Sequence, residues 1–177
     1  MGLFSKKKTK EKRSAEWIKQ ALEKIEELKP RQVSEPDPGI RYMVRRSDTI
    51  PDRTDFEIWK SQLRFPTFQE MLMTCIEKKH MSNKEFYKAA LIDRKLFSAI
   101  KNNRHYKPKK ETAVACCFGL KLCLSDSEKL LELAGYKLSL AITWDRVVYY
   151  CLKNNIVDID DVNELLYAEG EKCIRVS

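Results

Sequence analysis

Two short amphipathic segments joined by a tight corner, at positions 82–110, constrain this chain more than any other stretch. Ser82 and Glu85 form the S-x-x-E pattern of a capping box, which predicts that a helix begins at Ser82. A second helix is predicted to begin at Asp93, because its carboxylate can accept hydrogen bonds from the free N–H groups of the first turn. The spacing therefore predicts two helices held at a fixed angle.

The second helix is predicted to have an apolar inner face and a basic outer face. Leu91 and Ile92 precede it and are expected to fill the corner. The residues expected to point inward are Phe86, Ala90, Phe97 and Ile100. The residues expected on the outer face are Arg94, Lys95, Ser98, Lys101 and Asn102. A short helix with a basic, polar face, supported by the helix before it, suits the major groove of DNA. A solvated basic surface, or a surface for a protein partner, is also consistent with this pattern.

Positive charge is concentrated in the middle of the chain. The net charge of +8 is divided unevenly, because positions 67–124 hold 12 basic and 5 acidic residues, whereas positions 125–177 hold 6 and 10. Positions 94–110 alone hold seven Lys or Arg and no carboxylate. This distribution is typical of a phosphate-binding surface, although charge alone does not identify one.

The cysteines indicate a reducing compartment and no metal centre. They form no C-x-x-C pair, and His80 and His105 lie in no ligand spacing with them. We therefore expect reduced thiols, mostly inside helices, with no metal and no cofactor. No apolar run approaches the roughly 20 residues that cross a bilayer, and no signal-peptide core follows the basic start. A cytoplasmic protein without membrane contact is predicted. The six cysteines are Cys75, Cys116, Cys117, Cys123, Cys151 and Cys173.

The first third of the chain is predicted to be an arm outside the main domain. Positions 1–13 form a basic, disordered tail, and positions 14–29 form an amphipathic helix. Positions 30–55 are a Pro-rich linker, within which 40–46 alternates like a short strand. The apolar stripe of the helix must be covered by the domain, by a second copy or by a partner, and we favour pairing or docking. That stripe includes Trp17, Ile18, Leu22 and Ile25.

Positions 56–170 are predicted to form a helical domain. A short helix at 56–60 is expected to cover part of the core, and Thr67 with Glu70 predicts a capped helix ending near position 79. A helix at 109–122 has small inner residues that allow close approach to the helix before it. Later helices are predicted at 125–134 (capped by Ser125), at 138–154, and at 158–168 (capped by Asp158).

This order of residues resembles the lambda-repressor-like, Xre-type helix-turn-helix domain. The resemblance is carried by SNKEF at 82–86, which opens the second helix, by DRKLFSAI at 93–100 as the recognition helix, by Pro108 before the fourth helix, and by the exit at 120–124. The runs FYKAALIDRKLFSAIKNNRHYKPKKETAVA, LLELAGYKLS and DRVVYYCLKNNIVDIDDVNELL are similar to a bacterial helix-turn-helix-like module of unclear function, found alone or appended to other domains such as macro domains. Two positions depart from the pattern: Tyr87 replaces a small residue and Leu91 replaces the turn glycine.

The resemblance covers about 56–166 and implies an all-α fold: a five-helix domain with two extra C-terminal helices and an N-terminal helical arm. It implies that Arg94, Lys95 and Ser98 approach base edges, with Lys101 and Asn102 nearby. The residues that would hold phosphates are Arg104, Lys107, Lys109 and Lys110.

Two functions follow, and neither is enzymatic, because the chain has no G-x-S-x-G, P-loop, H-E-x-x-H or dinucleotide-binding glycine pattern. The first is a transcriptional regulator that binds double-stranded DNA through the helix at 93–101. The second is an adaptor in a bacterial defence or stress system, in which the same fold presents Leu96 to another protein.

Overall fold

A computed structural model describes residues 15–30, 53–62 and 65–174 of the chain, and the regular elements among them are α-helices. This confirms the predicted all-α class. The predicted strand at 40–46 and the tail at 1–13 lie outside the described residues. None of the described helices has the length and apolar character needed to cross a membrane. The helices are α1 (Ala15–Glu27), α2 (Arg53–Gln62), α3 (Phe68–Lys78), α4 (Asn83–Ala89), α5 (Arg94–Asn102), α6 (Lys110–Gly119), α7 (Leu124–Leu133), α8 (Thr143–Lys153) and α9 (Ile159–Ala168).

Three predicted helix starts are confirmed by their hydrogen bonds. The Thr67 and Ser82 side chains each accept a hydrogen bond from the N–H group three residues on, and each pairs reciprocally with a glutamate in a capping box. The Oδ1 atom of Asp93 accepts a hydrogen bond of 2.8 Å from the N–H group of Leu96. These caps fix where α3, α4 and α5 begin.

The corner between α4 and α5 is closed by apolar packing. Phe86 and Phe97 lie in the core with their ring centroids 5.4 Å apart. Ile92 is buried as predicted, but Leu91 is 44% exposed, so the prediction that Leu91 fills the corner is wrong. Leu91 instead adopts φ = 52°, and its N–H group donates to the carbonyl of Lys88. This left-handed residue ends α4 as glycine usually does in a Schellman motif, which leaves its side chain pointing outward.

Helix α6 is the centre of the domain, since its residues from Thr112 to Gly119 are all buried. It packs on α4 and α7. A Cβ atom at Gly119 would lie 2.5 Å from the Cβ atom of Ala90, so the two helices approach closely only because Gly119 has no side chain. The close approach is thus made to α4 and at Gly119, whereas the sequence predicted it for the helix directly before α6 and for other small residues.

Helix α1 packs against α8 and α9. Ala21 and Ile25 on its apolar stripe are buried, and Trp17, Ile18 and Leu22 pack on the same core. The stripe predicted for a second copy or a partner is therefore covered by the chain's own C-terminal helices. An apolar stripe predicts that something covers it, but the sequence does not say what.

The two helices after α6 begin at other residues than predicted. Helix α7 begins at Leu124 with Cys123 at its N-cap, so Ser125 lies within the first turn. Helix α8 begins only at Thr143, because the preceding loop is held in a non-helical form by buried charges. Asp145 accepts a hydrogen bond of 2.8 Å from the Ser139 N–H group, and Arg146 donates one of 2.8 Å to the Leu140 carbonyl.

Helix α2 does not cover the core, contrary to the prediction. Its large apolar residues Phe56, Ile58 and Trp59 are each more than half exposed, and Phe65 after it is 73% exposed. Helix α2 therefore carries an apolar surface that the described part of the chain leaves open.

Candidate nucleic-acid interface

The outer face of α5 carries the residues that the sequence predicted for base contact. Arg94, Lys95, Ser98, Lys101 and Asn102 are all exposed. The Asn102 amide donates a hydrogen bond of 3.2 Å to the Ser98 hydroxyl one turn earlier. The face thus presents long cationic side chains around a small polar pair, and these groups can donate to acceptors on base edges.

The opposite face of α5 fixes its position on the domain. Phe97 and Ile100 are buried, and α5 packs on α3. The Gln69 side chain at the start of α3 also donates a hydrogen bond of 2.9 Å to the Lys101 carbonyl at the end of α5. The role of Gln69 was not predicted, because no local pattern links two residues 32 positions apart.

The loop that follows α5 carries three further exposed cations: Arg104, Lys107 and Lys109. The Tyr136 hydroxyl donates a hydrogen bond of 3.0 Å to the carbonyl of Pro108 and so ties the loop to the segment after α7. The loop therefore carries its exposed cations in the segment that directly follows α5, and this segment is anchored to the domain at Pro108.

Arg104 is paired with a carboxylate. Its Nε atom lies 2.8 Å from an oxygen of Glu70, and both side chains remain partly exposed. The hydrogen bond from the Thr67 backbone N–H is the main cause that lowers the pKa of Glu70, and the positive charge of Arg104 lowers this pKa further. Glu70 is therefore ionised at neutral pH. It pairs with the guanidinium of Arg104, which was predicted from the sequence to contact a phosphate.

Lys110 differs from the other predicted residues, because it is half-buried and engaged within the fold. Its Nζ atom lies 2.6 Å from an oxygen of Asp145, whose side chain is only 2% exposed. The predicted phosphate contact by Lys110 does not fit this arrangement. Lys110 instead ties the start of α6 to α8. This pairing was not predicted, because Asp145 lies 35 positions further along the chain and no local sequence pattern connects the two residues.

Leu96, predicted to face outward, is half-buried and packs against the core. It borders an open groove of about 740 Å³ that also includes Tyr106, Trp144 and residues 170–173. The apolar surface beside α5 is thus a groove and not a projecting patch.

The thiols do not form part of this interface. Burial raises the pKa of Cys117 and of Cys151 to about 12, and burial raises the pKa of Cys116 well above its usual range. These groups stay protonated and unreactive at neutral pH. Cys123 is exposed and is the N-cap of α7, so it lies at the edge of a helix and not inside one.

Eight of the nine predicted interface residues are therefore exposed, and Lys110 is the exception. They include six basic side chains on α5 and on the loop after it. No family model, curated protein or solved structure matches this chain.

Proposed function

We propose that this protein is a helix-turn-helix DNA-binding protein, a transcriptional regulator that inserts α5 into the major groove. The observation that carries the proposal is the division of α5 into a buried face at Phe97 and Ile100 and an exposed basic face. A helix that reads base edges must be supported from behind and free in front.

Each exposed residue has a role in this proposal. Arg94, Lys95 and Ser98 contact base edges, because they lie in the first turns of α5. Lys101 and Asn102 extend the same face. Arg104, Lys107 and Lys109 contact phosphates and set the register on the duplex.

The backbone of the corner also supports the proposal. The resemblance to the helix-turn-helix family expects a glycine where this chain has Leu91. Leu91 takes the left-handed conformation that glycine favours, and the next N–H group, that of Ile92, donates to the carbonyl of Tyr87. The corner therefore keeps the backbone that a glycine would give, despite the substitution.

The test is fluorescence anisotropy against a mixed pool of duplex DNA over a range of salt concentrations. We expect R94A/K95A to weaken binding by about tenfold or more, because each good base contact contributes roughly 1–3 kcal/mol. The control is K137A/K153A, which removes two exposed positive charges from outside α5. Equal binding by the two double variants would contradict the proposal, because it would mean that charge alone attracts the DNA.

A second candidate is a non-enzymatic adaptor that uses this fold for protein contact. The exposed apolar residues of α2 and the groove beside Leu96 favour it. An adaptor would hold its partner in a pull-down at high salt, and R94A/K95A would leave the complex intact. Sequence-selective DNA binding would exclude the adaptor as the main role.

A further inference from the structure

The two ends of α5 are supported in different ways. Its first half is held at the corner, where Phe97 packs on Phe86 with their ring centroids 5.4 Å apart. Its end has less apolar support, because every residue from Lys101 to His105 is exposed. The carbonyl groups in the last turn of a helix also lack partners within the helix. The end of α5 is therefore open to a donor from another part of the chain.

The backbone after α5 differs from the ends of neighbouring helices. The C-cap residues of α3, α4 and α6 each donate their N–H group back to carbonyls of their own helix. Asn103, the C-cap of α5, is instead extended, with φ = −121° and ψ = 104°. The chain thus leaves α5 directly into the loop, and the Lys101 carbonyl is bonded by a side chain of another helix.

That side chain belongs to Gln69 in the first turn of α3. Its Nε2 atom donates a hydrogen bond of 2.9 Å to the Lys101 carbonyl. The position of Gln69 is itself fixed, because Thr67 and Glu70 on either side of it form the capping box that starts α3. Glu70 in turn reaches Arg104 in the loop after α5. The start of α3 therefore contacts α5 and its loop at two points.

The two contacts restrain different things. The Glu70–Arg104 pair joins two partly exposed side chains, and such ion pairs are weak in water. The bond from Gln69, a half-buried residue, ends instead on the backbone of α5, so it restrains the direction of the whole helix.

A small change in that direction has a large effect on the outer face of α5. The helix has nine residues and is about 13 Å long at a rise of about 1.5 Å per residue. A rotation of about 10° at its start would move its end by roughly 2 Å and turn every side chain on the outer face by the same angle. Binding groups work together only when they are held to within about 0.5 Å. The contact at the end of α5 is therefore placed where it controls the alignment of this face.

We propose that Gln69 is a positioning residue for DNA recognition, because its amide sets the tilt of α5 in the major groove and so the preference for one DNA sequence over another. This role rests on the proposed DNA-binding function. Gln69 acts through the backbone of α5, whereas the base contacts are made by the side chains of α5 itself. Base contacts need several side chains in register, whereas non-specific binding depends on charge. Loss of the Gln69 bond should therefore reduce sequence selectivity and leave non-specific affinity almost unchanged.

The test compares the duplex enriched from the mixed pool with a shuffled duplex of the same composition. Q69M removes the amide donor and nearly keeps the length of the side chain. We expect Q69M to lower the ratio of the two affinities by about tenfold and to change the affinity for the shuffled duplex by less than about twofold. The salt slope should not change, because no charge is altered. The control is Q20M, which removes an amide that bonds to Glu16 on α1, and it should leave the ratio unchanged.

The outcomes separate the role of Gln69 from the proposed function. A selective wild type with an unchanged ratio in Q69M would overturn the role of Gln69 alone. An equal loss of affinity for both duplexes would also overturn it, because Gln69 would then contact the DNA backbone or support the fold in general. A wild type that enriches no sequence would contradict the proposed function, and the role of Gln69 with it.

A second measurement follows α5 without DNA. Amide hydrogen exchange measured by NMR should become about threefold faster or more in the last turn of α5, at residues 100–102, in Q69M. Exchange in α9 is the internal control, because a general loss of structure would raise it too. Equal exchange in Q69M and the wild type, or a rise in α9 as large as that in α5, would overturn the positioning role.

Discussion

Two groups of basic residues are used in opposite ways. From Arg94 to Lys109 the cations are exposed, and Arg104 forms an ion pair with a neighbouring carboxylate, Glu70. Lys110 and Arg146 are instead tied into the fold, one by Asp145 and the other by the Leu140 carbonyl. One residue position separates a solvent-facing lysine from one that holds two helices together.

The difference shows that residue type does not decide whether a cation is available to a ligand. Lys109 is the N-cap of α6 and is exposed, whereas Lys110 begins the helix and bonds to Asp145 of α8. A buried carboxylate needs a partner, because an unpaired charge in the interior is costly. Asp145 pairs with Lys110, whereas the cations from Arg94 to Lys109 remain exposed at the surface.

The largest effect is expected from removing the partly buried ion pair between Lys110 and Asp145. K110A leaves the Asp145 carboxylate buried without its cation and should lower the free energy of unfolding by about 2–3 kcal/mol. Urea unfolding followed by circular dichroism measures the loss. K109A, one position away, should change the stability by no more than about 0.5 kcal/mol. Equal losses for the two variants would mean that the Lys110–Asp145 pair has no special role.

The second prediction concerns the exposed side. K107A/K109A should weaken DNA binding by about tenfold at low salt and reduce the slope of log affinity against log salt concentration by about two, because each phosphate contact contributes about one counterion. A salt series of anisotropy titrations measures both. K110A should leave the slope unchanged at a temperature where it is folded. If K110A lowers the slope as much as either lysine, the division between the two groups is wrong.

The features that could be predicted from the sequence are those that depend on residues close together in the chain. The caps at Thr67, Ser82 and Asp93 depend on residues three positions apart, and these were found correctly. The inward residues of α4 and α5 follow from helical periodicity and were also found. The shape of a short helix and the face it buries are thus local properties.

Contacts between distant positions could not be predicted in the same way. The pairing of Lys110 with Asp145 spans 35 positions, and the pairing of Gln69 with Lys101 spans 32. The start of α8 was missed for the same reason, because the buried charges that hold the loop before it act through tertiary contacts. Helix α2 was expected to pack on the core because of its apolar residues. An apolar face predicts that a helix has a packing surface, but it does not determine which element covers that surface.

The third prediction concerns the left-handed backbone of Leu91 at the corner between α4 and α5. L91G should stabilise the protein by about 1 kcal/mol, because a left-handed residue with a Cβ atom is strained by roughly 1–2 kcal/mol and the exposed side chain recovers only part of this. L91A keeps the Cβ atom and serves as the control, so it should give no gain. Thermal and urea unfolding measure both variants. A loss of stability in L91G would mean that the Leu91 side chain contributes more than its exposure indicates.

The smallest expected effect tests Arg104, the interface cation that pairs with Glu70. E70Q can keep the hydrogen bond from the Thr67 N–H group but removes the charge that pairs with Arg104. It should raise DNA affinity by no more than about fivefold, because an ion pair between exposed side chains is weak in water. E85Q changes the equivalent capping box of α4, whose glutamate pairs with no arginine among the described residues, and should leave DNA affinity unchanged.

The pH dependence of stability follows from the same carboxylate. The pKa of Glu70 is lowered in the folded state, mainly by the Thr67 N–H group, so its contribution is complete above the unfolded pKa of about 4.3 and is lost as the pH falls through the folded pKa. The urea midpoint of the wild type should therefore fall more steeply below about pH 4.3 than that of E70Q. Parallel curves for the two proteins would mean that the Glu70 charge does not stabilise the start of α3, and that Arg104 is as free as its neighbours.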